Sequence, residues 1–279
     1  MTQPIPRVLS IAGTDPTGGA GIQADLKSIS AHGGYGMAVV TALVAQNTHG
    51  VRSVHIPPAQ FLREQLRAVS DDVTIDAVKI GMLGNAQIVD VVDLWLKEVN
   101  PPVVVVDPVM VATSGDRLLE PAAEEAVIRL LNRADLVTPN LAELGVLLRE
   151  PTALAWSQAL EQGHRLSAAH NVIVLVKGGH LEGAQCPDAL VDAQGELAGH
   201  RQIIQVSAPR VATSNTHGTG CSMSSAMATL QARHNDWNEA LTVTKAWLQD
   251  SLRHADDLHV GSGRGPIHHF HQLWAAGKA

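Results

Sequence analysis

The chain has 279 residues, 45% of them apolar, and a formal net charge of −7. That length and composition suit one α/β domain with a substantial core. The acidic balance, with no Lys/Arg cluster, speaks against a binder of phosphate backbones, and aromatic residues at 3% are too few for a base-stacking surface. Two cysteines, Cys186 and Cys221, make no disulfide framework. Asp15 interrupts any signal-peptide core, and apolar stretches such as 38–45 are too short to span a bilayer. The sequence therefore reads as soluble and cytoplasmic.

Residues 8–12 read as a buried strand. Residues 20–32 carry helical spacing and end at Gly33-Gly34, a natural C-cap. A strand over 37–43, a helix over 61–69, a strand over 77–80 and a helix over 86–98 follow. Val103-Val104-Val105-Val106 is the clearest buried parallel strand, apolar on both faces. Next come a helix over 122–131, a strand over 136–138, a helix over 141–148 and a strand over 172–176. The rhythm then changes. Residues 189–192 and 203–206, joined through Gly195 and Gly199, read as a hairpin, and 221–232 and 239–252 as two helices. Alternation of strand and helix implies a mostly parallel sheet covered on both faces. No Pro/Ser-rich linker divides the chain, so 1–279 reads as a single domain. Ligands of such folds sit at the carboxyl ends of the strands.

Six segments fall at those ends. Ala12-Gly13-Thr14-Asp15-Pro16-Thr17-Gly18-Gly19-Ala20-Gly21 follows a strand and opens a helix, but has neither dinucleotide spacing nor a P-loop ending. It is a glycine-rich turn or a ligand loop, and Asp25 beyond it is a solvated helix residue or one facing the strand ends. Gln46-Asn47-Thr48, just past a strand, offers a carboxamide with donor and acceptor side by side. That matches the edge of an aminopyrimidine, or simply caps a loop. Asp107-Pro108-Val109-Met110 ends the valine strand with an acid able to hold Mg²⁺ or to cap a turn. In Thr138-Pro139-Asn140-Leu141-Ala142-Glu143, Glu143 stands three residues after an Asn N-cap, as in a capping box, or organises metal. Lys177-Gly178-Gly179-His180 can reach a phosphate, or is a surface lysine before a turn. Asn215-Thr216-His217-Gly218-Thr219-Gly220-Cys221 leads small residues into a helix, leaving bare N–H groups that form an anion site with the helix dipole. Cys221 stands in that first turn, where a thiolate is favoured, or is a small packing residue.

Together these segments resemble the hydroxymethylpyrimidine/phosphomethylpyrimidine kinases of thiamine biosynthesis. So do Gly81-Met82-Leu83, the stretch from Asp107 to Gly115 and the tail from Gly263 to His271. The likeness runs from about residue 8 to 274, in order. It implies a ribokinase-like three-layer α/β/α sandwich with a mostly parallel central sheet. It also implies ATP-dependent phosphorylation of 4-amino-5-hydroxymethyl-2-methylpyrimidine, then of its monophosphate, by a homodimer using ATP and Mg²⁺, with a monovalent cation left open. Carried over, Gly13, Asp25, Gln46, Met82 and Val109 form the pyrimidine pocket. Gly218, Thr219, Gly220 and Cys221 form the anion hole, Cys221 standing where sugar-kinase relatives have a catalytic Asp. Asp107 and Glu143 manage Mg²⁺, Lys177 touches the transferring phosphates, and 110–117 is a flap. A free thiol titrates near 8.5 and is lowered at a helix start, so Cys221 is expected to take the hydroxymethyl proton in the first step.

Pyridoxal kinase, on the same fold, is the nearest rival. Relatives that trap pyridoxal use a second Cys on the flap, and 110–114 contains none. A non-catalytic sensor is the rival from another class, but Lys177, Asp107 and the 218–221 loop are all present. The tail histidines His268, His269 and His271 lack zinc-motif spacing and read as a hydrogen-bonded segment packed near the site.

Overall fold

Alternation along each strand decides which helices it meets. The computed structural model describes residues 5–110 and 123–276. In it, β1 (Arg7–Gly13) turns Val8 and Ser10 to one face of the sheet and Leu9 and Ile11 to the other. β4 (Ala77–Ile80) sets Ala77 and Lys79 against Val78 and Ile80 in the same way. β5 (Val104–Val106) is buried on both faces, as its valine run requires. With β2 (Tyr35–Asn47), β6 (Leu136–Val137) and β7 (Ile173–Lys177), these strands form a parallel run in the order β2-β1-β4-β5-β6-β7. Antiparallel β3 (Gly50–His55) extends one edge; β8 (Gln185–Val191) and β9 (Ile203–Pro209) extend the other.

Two helical layers cover this sheet. α2 (Ala59–Ser70), α3 (Ala86–Val99), α4 (Glu124–Leu130), α5 (Leu141–Leu148) and α6 (Trp156–His170) pack on Leu9, Ile11, Val78, Ile80, Val104 and Val106. α1 (Gly21–Ala31), α7 (Thr219–His234) and α8 (Trp237–Arg253) pack on Val8, Ala77, Val105 and Leu175. Burying each Leu, Ile or Val side chain in these layers contributes about 1.5–3 kcal/mol relative to leaving it exposed. The expected three-layer α/β/α architecture is what forms, and α9 (His271–Ala276) closes the described chain.

The ends of elements follow the expected signals, with exceptions. α1 stops at Gly33, whose φ of +76° suits a left-handed residue, and the Gly34 N–H returns to the Ile29 carbonyl at 2.9 Å. β2 runs on through Asn47, so Gln46 lies within a strand paired to β3 rather than in a loop beyond one. β3 and α6 were not expected. The α6 face toward the core is Ala159, Gln162, Gly163, Leu166 and Ser167, too small and polar to read as an apolar stripe. Gly163 is required there: a Cβ at that position stands 2.5 Å from a Val176 methyl. The expected flap over 110–117 lies outside the described residues except for Met110, which is buried.

Candidate active site

The carboxyl ends of the central parallel strands and the start of α7 open into one cavity of about 1690 Å³. Its floor on one side is apolar. Ala42, Val44 and Met82 form a buried cluster with Val51, Ile56 and Val109 packed on it. Gly13 lies flush against this floor, where a Cβ stands 3.2 Å from the Met82 sulfur. The Thr41 hydroxyl donates to the Met82 carbonyl at 2.5 Å, and the Val44 N–H donates to Thr14 Oγ1 at 3.0 Å. Half-buried Gln46 borders the same space. Gly13, Gln46, Met82 and Val109 thus come together around one apolar slot of the cavity.

The opposite side is charged. Asp107 leaves β5 and Lys177 ends β7, with Lys177 Nζ 3.3 Å from Asp107 Oδ1. The Thr138 hydroxyl donates to that oxygen at 3.0 Å, and Ser224 Oγ lies 3.4 Å from Oδ2. Burial works to lower the Lys177 ammonium, but Asp107 and Glu143 hold it above its ordinary value. Glu143 closes a full capping box with Asn140 at the start of α5. It nonetheless lines the cavity, so its capping role leaves it bordering that space. Burial, reinforced by Asp107 and opposed by Lys177, pushes its carboxyl up to about 7. Among the described residues no group of three His, Cys, Asp or Glu side chains could hold a metal ion. Two buried carboxylates on one wall, one under-neutralised, suit a Mg²⁺ that keeps phosphate and water among its ligands.

Between the two sides comes the start of α7. Gly218 is its N-cap, at φ +79°, and no side chain caps the first turn. A Cβ at Gly218 stands 1.8 Å from the Gly19 carbonyl oxygen, so only glycine fits. A Cβ at Gly220 stands 3.5 Å from Lys177 Nζ and 3.6 Å from Asp107 Oδ2, so the backbone passes directly over that ion pair. Helix N–H groups, helix dipole and Lys177 converge on one place, an arrangement that suits an anion. Gly218, Thr219, Gly220, Cys221 and Lys177 all line it.

Two expectations need correcting. Burial pushes the Cys221 thiol up to about 11. The Asp25 and Asp107 carboxylates add to this, and Lys79 and a backbone hydrogen bond oppose it. The helix start does not outweigh burial among carboxylates, and the thiol is neutral near pH 7. Asp25 is fully buried and does not line the cavity. It accepts from Lys79 Nζ at 2.8 and 2.9 Å, from Ser10 at 2.6 Å and from Ser225 at 2.8 Å. Burial works to raise this carboxyl against the pull of Lys79 and both hydroxyls, and contact of both oxygens with one ammonium is the geometry of an ionised pair. Burial likewise works to lower Lys79, but Asp25 foremost, then Cys221 and Asp107, hold it above its ordinary value.

Lys79 escaped the sequence reading because it hides in the strand Ala77-Val78-Lys79-Ile80. A lysine inside a buried strand needs a buried carboxylate, and that was the available signal. Asp15 and His217 were passed over as motif members. Asp15 is fully buried. Its Oδ1 accepts the Thr17 N–H and hydroxyl at 2.9 and 2.8 Å; its Oδ2 accepts the Gly19 and Ala20 N–H groups at 3.1 and 2.8 Å and meets His217 Nε2 at 2.8 Å. Burial alone raises this carboxyl; the bonds from His217 and Thr17 outweigh it and bring it down to about 2. The tail histidines pack close by, as expected: His268, His269 and His271 are buried, and His269 Nε2 lies 2.8 Å from Ser222 Oγ in the first turn of α7.

This fold and site define a ribokinase-like small-molecule kinase. A *Bacillus subtilis* pyridoxal kinase solved as an ADP complex superposes with a TM-score of 0.86 at 28% identity, over 97% of this chain and 99% of that one. Residues 15–268 match the phosphomethylpyrimidine kinase family, and the chain belongs to that family. The hydroxymethylpyrimidine/phosphomethylpyrimidine kinase of *Salmonella typhimurium* is 52% identical over 267 residues, covering 95% of this chain and 98% of its own length. The thiamine biosynthesis multifunctional protein ThiED of *Corynebacterium glutamicum* is 55% identical over 266 residues, again 95% of this chain, which spans about a third (34%) of that protein's length.

Proposed function

We propose that the protein transfers the γ-phosphoryl group of ATP to 4-amino-5-hydroxymethyl-2-methylpyrimidine and then to the resulting monophosphate, within thiamine biosynthesis. The carrying observation is the apolar slot with Gln46 at its rim, sharing one cavity with the anion loop and Lys177. Gln46 pairs with the aminopyrimidine edge through its donor and acceptor, while Met82 and Val109 enclose the ring. Lys177 and the N–H groups of the 218–221 loop stabilise charge on the transferring phosphoryl group. Asp107 and Glu143 would hold Mg²⁺, which when bound would supply charge neutralisation at the phosphates. Val211, Thr213, Leu248 and Leu252 also line the cavity and offer the adenine a site, and the ADP bound by the Bacillus subtilis kinase supports nucleotide use on this fold. Asp25 contributes beneath the site, by holding Lys79, rather than as a pocket wall.

The neutral Cys221 thiol fits this reaction, since loose phosphoryl transfer depends on positioning and charge stabilisation more than on a strong base. In the second step the acceptor is already an anion and needs no base. We further propose a single-domain homodimer working in the cytoplasm; among the described residues no helix is long and apolar enough to cross a membrane.

The deciding experiment incubates the protein with Mg-ATP and the hydroxymethylpyrimidine, with pyridoxal in parallel, and follows products by mass spectrometry. Sequential pyrimidine mono- and diphosphate with little pyridoxal phosphate is expected. Dominant pyridoxal phosphate, or no product, overturns the pocket assignment. Light scattering of the same sample tests the dimer, and a monomeric mass rejects it.

A further inference from the structure

Three glycine-dense segments meet at one side chain. The His217 ring lies on Gly19, where a Cβ stands 2.6 Å from His217 Cδ2 and 3.1 Å from Pro266 Cβ. The His217 N–H donates to the Gly265 carbonyl at 3.0 Å, and the Gly265 N–H donates to Asn215 Oδ1 at 2.9 Å. His217 Nε2 meets Asp15 Oδ2 at 2.8 Å. A carboxylate only accepts, so Nε2 carries the hydrogen.

We infer that His217 is a positioning residue for phosphoryl transfer, its bond to Asp15 setting the anion loop in register with the pyrimidine-side loop. This rests on the reading of 218–221 as the anion loop. His217 immediately precedes Gly218, whose backbone is pressed against the Gly19 carbonyl, so a shift of His217 moves the first N–H groups of α7 relative to Gly13 and the slot. Asp15 keeps four other donors when the imidazole is lost. The first loop therefore keeps its own shape, and what disappears is its tie to the second. A displacement of about 1 Å at a reacting centre costs on the order of 100-fold in rate, and that cost falls on turnover rather than on pyrimidine binding.

The test compares His217→Ala, His217→Asn and His217→Gln in the full chain. The Gln amide nitrogen lies as many bonds from the backbone as Nε2, while the Asn amide falls short. Two readouts are taken: the rate at which iodoacetamide alkylates Cys221 without substrate, assigned by peptide mass spectrometry, and kcat and KM for both phosphorylations. Ala and Asn are expected to speed alkylation threefold or more. They should also lower kcat of both steps about tenfold or more, with the pyrimidine KM within threefold, while Gln stays closer to wild type than to Ala. Less than threefold change in both readouts for Ala and Asn, a loss confined to KM, or Gln as impaired as Ala overturns the inference. Should Ala fail to fold, Asn against Gln decides, and equal behaviour of the two rejects it. A wild type that turns over no pyrimidine refutes the proposed function, while the alkylation series still judges the tie.

Discussion

At Cys221 opposing fields meet in a few ångströms. Burial and two carboxylates press the thiol toward about 11, and Lys79 only partly answers them. The rate of Cys221 alkylation is therefore expected to be still rising at pH 10, where an ordinary thiol near 8.5 has levelled off; a plateau below pH 9 contradicts the burial argument. Cys221→Ala is expected to lower both phosphorylations by similar factors, because a neutral thiol serves by its position and not as a base; a loss confined to the first step contradicts this. Glu143 gives a stability test of its own. Its carboxyl is near 7 in the fold against 4.5 for the ordinary group, so the fold disfavours its charged form. Both protonated at pH 4.5 and below, the two states differ little; stability is then lost as pH rises from about 4.5 through 7. Glu143→Gln, which can still serve the capping box, is expected to stabilise the ligand-free protein by about 1–3 kcal/mol at pH 8, little at pH 4.5, and to lose most activity. Thermal melts at the two pH values check the sign.

Among the elements, the two loops before α1 and α7 carry the site, and their glycines are not interchangeable. Gly218→Ala combines a positive φ with a Cβ placed on the Gly19 carbonyl, and is expected to cost at least about 3 kcal/mol or prevent folding. Gly179→Ala, with nothing within 4 Å of its Cβ, is expected to stay within about 0.5 kcal/mol; denaturant melts of the pair check both. The parallel strands and their flanking helices were legible in the sequence because their apolar periods are strong. So were Lys177, Asp107 and the 218–221 loop, because chemistry at strand ends is written in short motifs. β3 was hidden by its exposed polar edge, and α6 by a buried face of Ala, Gly, Ser and Gln. The local sequence around Cys221 shows a helix start but not Asp25 and Asp107, which tertiary packing brings from 196 and 114 residues earlier in the chain. Distances of that kind are what motif reading does not supply.

For the molecule as a whole, the Lys79–Asp25 pair is a central fastening. Asp25 on α1 holds Lys79 of β4, Ser10 of β1 and Ser225 of α7, with no exposure on either charged side chain. Lys79→Met leaves a buried carboxylate without its counter-charge and is expected to cost about 3–5 kcal/mol. Adding Asp25→Leu is expected to recover part of that loss, and a double-mutant cycle by denaturant melts measures the coupling; additive losses reject it. The tail contacts bear on synthesis. All nine strands among the described residues precede residue 210, but the bond from His217 to Gly265 and the seat of Ser222 on His269 wait for residues more than 50 positions further on. A nascent chain can thus complete its sheet before its anion loop has both supports. Assembly of the sheet and assembly of the proposed transfer site are thus separable in order along this chain.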